Sequence, residues 1–102
     1  MGNMNSITDT AVGLLKRMIA TPSLSGDEKR VADIVAKELT NRYYQPERVG
    51  NNLIVRCTDF VEGRPTLMLN SHLDTVKPAQ GWATDPFLPV VTDGKIYGLG
   101  SN

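Results

Sequence analysis

Pro65-Thr66-Leu67-Met68-Leu69-Asn70-Ser71-His72-Leu73-Asp74 is the stretch that decides how this chain is read. The run up to Ser71 is too short and too compatible with extended backbone for a helix, and it predicts a buried β-strand. His72, the only histidine in 102 residues, then stands at the carboxyl end of that strand, where open α/β sheets bind their ligands. In extended backbone, residues i and i+2 project from the same side, so Asp74 falls beside the imidazole and can fix its orientation. Metal-bound histidines usually have such a partner on the other ring nitrogen. A lone histidine at a strand end is otherwise more often a hydrogen-bonded structural residue, and Asp74 alone would read as a turn or capping aspartate. The flanking pattern therefore has to decide between these readings.

Working outward toward the N-terminus, Ile7, Ala11, Leu14, Leu15, Met18 and Ile19 recur at helical spacing and predict a helix from about Ser6 to Ala20. Thr21-Pro22 ends it, because a residue before proline avoids the helical region. Ser25-Gly26-Asp27-Glu28 reads as a capping box that opens a second helix. That helix ends near Arg42, has Val31, Ile34, Val35 and Leu39 as its buried stripe, and carries Lys29, Arg30, Lys37 and Glu38 on its wet side. Strands are expected over 43–49 and 52–58, joined at Gly50-Asn51, with Pro46 making the first an edge or interrupted strand. Cys57 falls in the second of these and reads as a small buried apolar residue.

Beyond His72, residues 75–89 form a loop in which Trp82 and Phe87 are expected to act as packing anchors. Asp93-Gly94 marks a tight hairpin between Val90-Val91 and Lys95-Ile96-Tyr97. The order helix, helix, hairpin, strand, loop, hairpin gives the α/β class, with helices packed on a mixed β-sheet. The strand ending at His72 should be central in that sheet, yet too few crossover helices are present to cover both its faces.

Composition narrows the function classes. Eleven basic and eleven acidic residues balance to zero and no basic run stands out, which argues against nucleic acid and anionic membrane as partners. No apolar stretch approaches a membrane span, and the start lacks the features of a secretory signal. Cys57 is the single cysteine, so no intrachain disulfide forms, and a soluble cytoplasmic protein is expected. The start, Met1-Gly2 through Ser6, fits the bare N-myristoylation pattern, but that pattern asks for little more than a glycine and a serine.

Several ordered elements together resemble the zinc-dependent aminoacylase and carboxypeptidase family, which includes acetylornithine deacetylase and succinyl-diaminopimelate desuccinylase. They are Ser71-His72-Leu73-Asp74-Thr75-Val76 with Pro78, Gly81-Trp82, Asp85-Pro86-Phe87, and Asp93-Gly94-Lys95-Ile96-Tyr97-Gly98-Leu99-Gly100, preceded by Thr21-Pro22-Ser23-Leu24-Ser25-Gly26-Asp27-Glu28. The resemblance covers nearly the whole chain. It implies that residues 1–102 are the N-terminal portion of a single zinc-hydrolase catalytic domain, without the family's dimerisation insert. His72 matches the histidine that ligates one of two Zn2+ ions, and Asp74 matches the catalytic-site carboxylate that orients it. No substrate-binding residue is identified. The family's bridging aspartate would be expected just beyond Asn102, so the ligand set here is incomplete.

The function implied is removal of an acyl group from a small-molecule N-acyl amino acid by zinc-activated water; the oligomeric state of the parent enzyme stays open, a homodimer being one of its options. Leu99 stands where the family usually has arginine, which points toward the acetylornithine deacetylase-like branch. Zinc needs about three protein ligands to work catalytically, so the isolated chain is expected to be inactive. Asp85 and Asp93 are further oxygen donors, although neither is near His72 in sequence. The alternative is a free-standing, non-catalytic binding or interaction module that kept the scaffold and lost the site. The unprotected apolar run Leu67-Met68-Leu69 favours a piece of a longer protein over that alternative.

Overall fold

The computed structural model describes residues 4–101. Gly2, on which the lipidation pattern depends, lies outside the described residues. Helix α1 (Met4–Ile19) and helix α2 (Lys29–Asn41) are followed by strands β1 (Glu47–Val49) and β2 (Asn52–Ile54), then by β3 (Val90–Thr92) and β4 (Lys95–Tyr97). Both predicted helices form. The apolar stripe of α1 is covered only toward its C-terminal end, because Ile19 is buried whereas Ile7 stays 59% exposed. Ile19, with Val31 and Ala32 in the first turn of α2, makes the fully covered apolar core among the described residues.

The junction after α1 closes as expected. The Thr21 hydroxyl donates to the Arg17 carbonyl at 2.9 Å, and its amide donates to Met18. The capping box does not form. Leu24 to Asp27 instead make a tight turn, with the Asp27 amide donating to the Leu24 carbonyl at 2.7 Å and Gly26 at φ +88°. That positive φ at the third position is what a type II turn demands and what glycine supplies without strain. Glu28 becomes the N-cap, and its carboxylate accepts the Gly26 amide at 2.7 Å. Ser25 thus does not cap α2, and its amide donates to the Thr75 carbonyl. Glu38, read as part of the wet side, faces α1 instead and pairs with Arg17 and Arg42, each at 3.1 Å.

Both hairpins form at the expected turns. β1 pairs antiparallel with β2 around Gly50 (φ +61°), and β3 with β4 around Asp93 and Gly94, both at positive φ. Each strand is only three residues long. β1 begins directly after Pro46, as an interrupted strand would. β2 stops short of Cys57, which is exposed rather than buried. Trp82 is 38% exposed and is not the buried anchor expected, whereas Phe87 is half-buried in a turn closed by the Asp85 carboxylate.

The expected mixed sheet is absent among the described residues. Two separate two-stranded antiparallel sheets take its place, which keeps the chain in the mixed α/β class. Residues 65–71 run without strand pairing, and Leu67, Met68 and Leu69 are 86%, 79% and 88% exposed. The reason is one of supply. A strand apolar on both faces needs neighbours on both edges and covering layers above and below, and two short hairpins and two helices do not provide them. The chain is correspondingly open, with a radius of gyration of 15.6 Å against about 13 Å for a compact domain of this length.

Two expectations follow from this packing. A Cβ built on Gly98, a buried residue, would lie 2.5 Å from Cγ2 of Ile19. Gly98→Ala is therefore expected to lower stability by about 1–3 kcal/mol, read as a drop in the urea midpoint. The Asp33 carboxyl is held below its ordinary value by Arg48 and then Lys29, and that of Glu38 by Arg17 and then Arg42. Because the folded state binds these protons less readily than the unfolded state, the stabilisation is complete above the usual carboxylate range and disappears as pH falls through the depressed values. Urea midpoints should fall below about pH 4, and Glu38→Gln should remove part of that acid limb.

Candidate functional site

His72 and Asp74 sit on the extended segment that follows the unpaired run. The His72 Nδ1 atom is 3.0 Å from the Asp74 Oδ1 atom and 3.0 Å from the Asp74 carbonyl oxygen. Both partners are acceptors, so Nδ1 carries the proton and donates to them. In the neutral ring this leaves the lone pair on Nε2. The His72 side chain is 84% exposed. The pair forms a wall shared by two clefts. One, of about 1000 Å³, lies against Val35, Leu39 and Leu53; the other, of about 520 Å³, lies against Leu15, Val31 and Leu99. The strand at whose carboxyl end His72 was expected is not formed, so the pair stands on an unpaired extended segment.

The Asp74 carboxyl is held below its ordinary value, first by a hydrogen bond from the Ser25 hydroxyl and then by the one from His72. Asp74 is therefore ionised at neutral pH and accepts the His72 Nδ1–H. Around it the backbone is pinned to the turn after α1. The Thr75 amide donates to the Ser23 carbonyl at 2.8 Å and the Ser25 amide donates to the Thr75 carbonyl at 3.1 Å, forming a single parallel bridge between Leu24 and Thr75. The buried Ser23 hydroxyl donates to the Leu73 carbonyl at 2.9 Å. On the other side, a Cβ on Gly100 (φ +83°) would stand 3.0 Å from the Thr75 methyl carbon. Gly98 and Gly100 are thus needed for close approach to α1 and to the end of the His-Asp segment.

Sequence reasoning identified the His-Asp pair and missed Ser23, Ser25 and Thr75. The signal available was Ser25-Gly26, which reads equally well as a helix start and as the centre of a type II turn. Asp85 and Asp93, considered as oxygen donors, do not join the pair. Asp85 accepts the Phe87 amide at 2.9 Å and Asp93 lies in the β3–β4 turn. Among the described residues no three His, Cys, Asp or Glu side chains converge to hold a metal ion. The residues present therefore fit one position of a zinc site, through Nε2 of His72, and not a complete one.

No protein-family model matches the chain. Similarity to curated proteins is extensive. Succinyl-diaminopimelate desuccinylase of Anaplasma marginale is 32% identical over 99 residues, covering 92% of this chain and 26% of that protein. The enzymes of the same name from Buchnera aphidicola and from Sulfurovum are 33% and 32% identical, over 93% and 88% of this chain. The chain spans about a quarter of the length of the curated relatives it matches.

One further expectation belongs to this site. The Thr75 hydroxyl oxygen is buried without a hydrogen-bond partner among the described residues. An unpaired buried hydroxyl costs about 1–3 kcal/mol, so the near-isosteric Thr75→Val is expected to raise the urea midpoint rather than lower it.

Proposed function

Because the chain belongs to the zinc-dependent aminoacylase and peptidase family that includes the succinyl-diaminopimelate desuccinylases, and corresponds to its N-terminal part, we propose that it is the His-Asp segment of a metal-dependent amidohydrolase acting on N-acyl amino acids. The observation that carries this reading is the doubly accepted Nδ1–H of His72, which leaves Nε2 free at the wall of two clefts. His72 would hold one face of the metal. Asp74 keeps the imidazole in the ligating tautomer and, being ionised, raises the basicity of the coordinating nitrogen. A bound zinc supplies a water ionised near neutral pH and polarises the scissile carbonyl. The remaining ligands and a proton-accepting carboxylate belong to the portion of the relatives that this chain does not span, so the 102 residues alone bind zinc weakly and do not turn over.

The desuccinylase relatives support a succinylated diamino acid as substrate. Leu99, on the wall of the smaller cleft, supports the acetylornithine-type alternative.

The complete reading frame tests the assignment. Asp74→Asn is expected to cost about 10–100-fold in zinc affinity and activity, and His72→Ala more than that. Zinc content is read by elemental analysis, and hydrolysis is followed with N-succinyl-diaminopimelate and N-acetylornithine side by side. Undiminished zinc and activity in the His72→Ala protein would remove the ligand assignment.

A further inference from the structure

We infer that the larger cleft beside His72 is a strand-accepting slot, built to take one extended aliphatic segment from the part of the complete protein outside these 102 residues. The inference concerns the chain's own backbone edges and does not rest on His72 binding a metal. Two stretches wall the cleft, residues 51–55 and residues 69–74, and Val35 and Leu39 of α2 form its floor. Both walls are unbroken runs. A strand that turned a face to the cleft would contribute alternate residues, because successive side chains point to opposite sides. Consecutive residues in a wall mean that the segment meets the cleft along its edge. Val35 and Leu39, four apart, stand on one side of the helix, as a layer beneath a sheet requires.

Each edge has bonding capacity to spare. β2 pairs with β1 on one side only, and residues 65–74 have no strand partner among the described residues. The backbone of 65–72 takes part in no backbone–backbone hydrogen bond there. Such edges pair with any strand that comes within reach. The dimensions fit one strand. An extended segment as long as the 69–74 wall runs about 20 Å and takes about 4.8 Å of sheet width and about 10 Å of thickness, close to the cleft volume of about 1000 Å³. The walls also select the occupant. They carry the carboxylates Glu28 and Asp74 with no lysine or arginine, which disfavours an acidic segment, while Leu53, Val55 and Leu69 favour an aliphatic one. A second copy offers no unattached strand to insert. Its β2 is held by β1, and its 65–74 run is held at Leu73 by the Ser23 hydroxyl. The chain spans about a quarter of the length of its relatives, so a protein of that length has polypeptide to supply the strand.

Amide hydrogen exchange of the complete protein, measured beside the 102-residue chain, tests the slot. In the complete protein, residues 67–71 and those amides of 52–55 that β1 does not engage should exchange at least about a thousandfold more slowly than in the isolated chain. Core strands behave so when they open only on global unfolding. Nuclear Overhauser contacts from the amides of both stretches should lead to residues outside 1–102. Protection missing from either stretch would overturn the slot. Direct contacts between 52–55 and 67–71 would overturn it too, because the cleft would then close on itself without an inserted strand. Protection of both stretches in the isolated chain, at twice the monomer mass by light scattering, would replace the proposed occupant with a second copy.

Discussion

The parallel bridge between Leu24 and Thr75, reinforced by the Ser23 hydroxyl on Leu73, is the constraint on which the arrangement of this chain turns. It joins segments fifty residues apart, and between Leu73 and Thr75 it leaves Asp74 as the one residue free to present its side chain to His72. A lone bridge closes a long loop at an entropic cost that grows only slowly with loop length. Two hydrogen bonds anchored on the buried Ser23, with a third from the Ser25 amide, can offset that cost, since buried polar groups left unpaired are penalised. The His-Asp geometry therefore depends on a turn that takes no part in the chemistry.

Around that bridge the packing is thin but specific. Helix α1 contributes Ile19, whose side chain meets the Gly98 backbone so closely that no Cβ fits between them. Helix α2 contributes Val31 and Ala32 and holds the first hairpin through Arg48, which reaches Asp33 at 2.7 Å and the Gly50 carbonyl at 2.8 Å. The ion pair and the hydrogen bond beside it are part-exposed, and exposed pairs contribute little to stability by themselves. They align the hairpin on the helix, while the small apolar core sets how much order the chain retains. No helix among the described residues is long and apolar enough to cross a membrane.

The unpaired run Leu67-Met68-Leu69 is where expectation and structure part most clearly. Its apolar residues face both ways, which is the signature of a strand covered on both sides. The described residues give it neither edge partners nor covering layers. The chain covers about a quarter of the length of its desuccinylase relatives, so the pattern and the exposure are consistent with one another. A continuous apolar run favours extended backbone, but pairing is a property of neighbours.

Local chemistry was legible wherever it was self-contained. The spacing from Ile7 to Ile19 and from Val31 to Leu39 specified both helices, Gly50-Asn51 and Asp93-Gly94 specified both hairpins, and the His-x-Asp spacing put a carboxylate on Nδ1. Those outcomes need only backbone sterics and neighbours within a few residues. The tertiary structure alone decided that the turn carrying Ser23 and Ser25 bonds Leu73 and Thr75 while Glu28 caps α2, that Gly98 lies against Ile19, and that residues 65–71 stay unpaired. Each depends on contacts between residues far apart in the chain, and no periodicity or turn preference encodes which distant partner a hydroxyl, a glycine or a strand edge will meet.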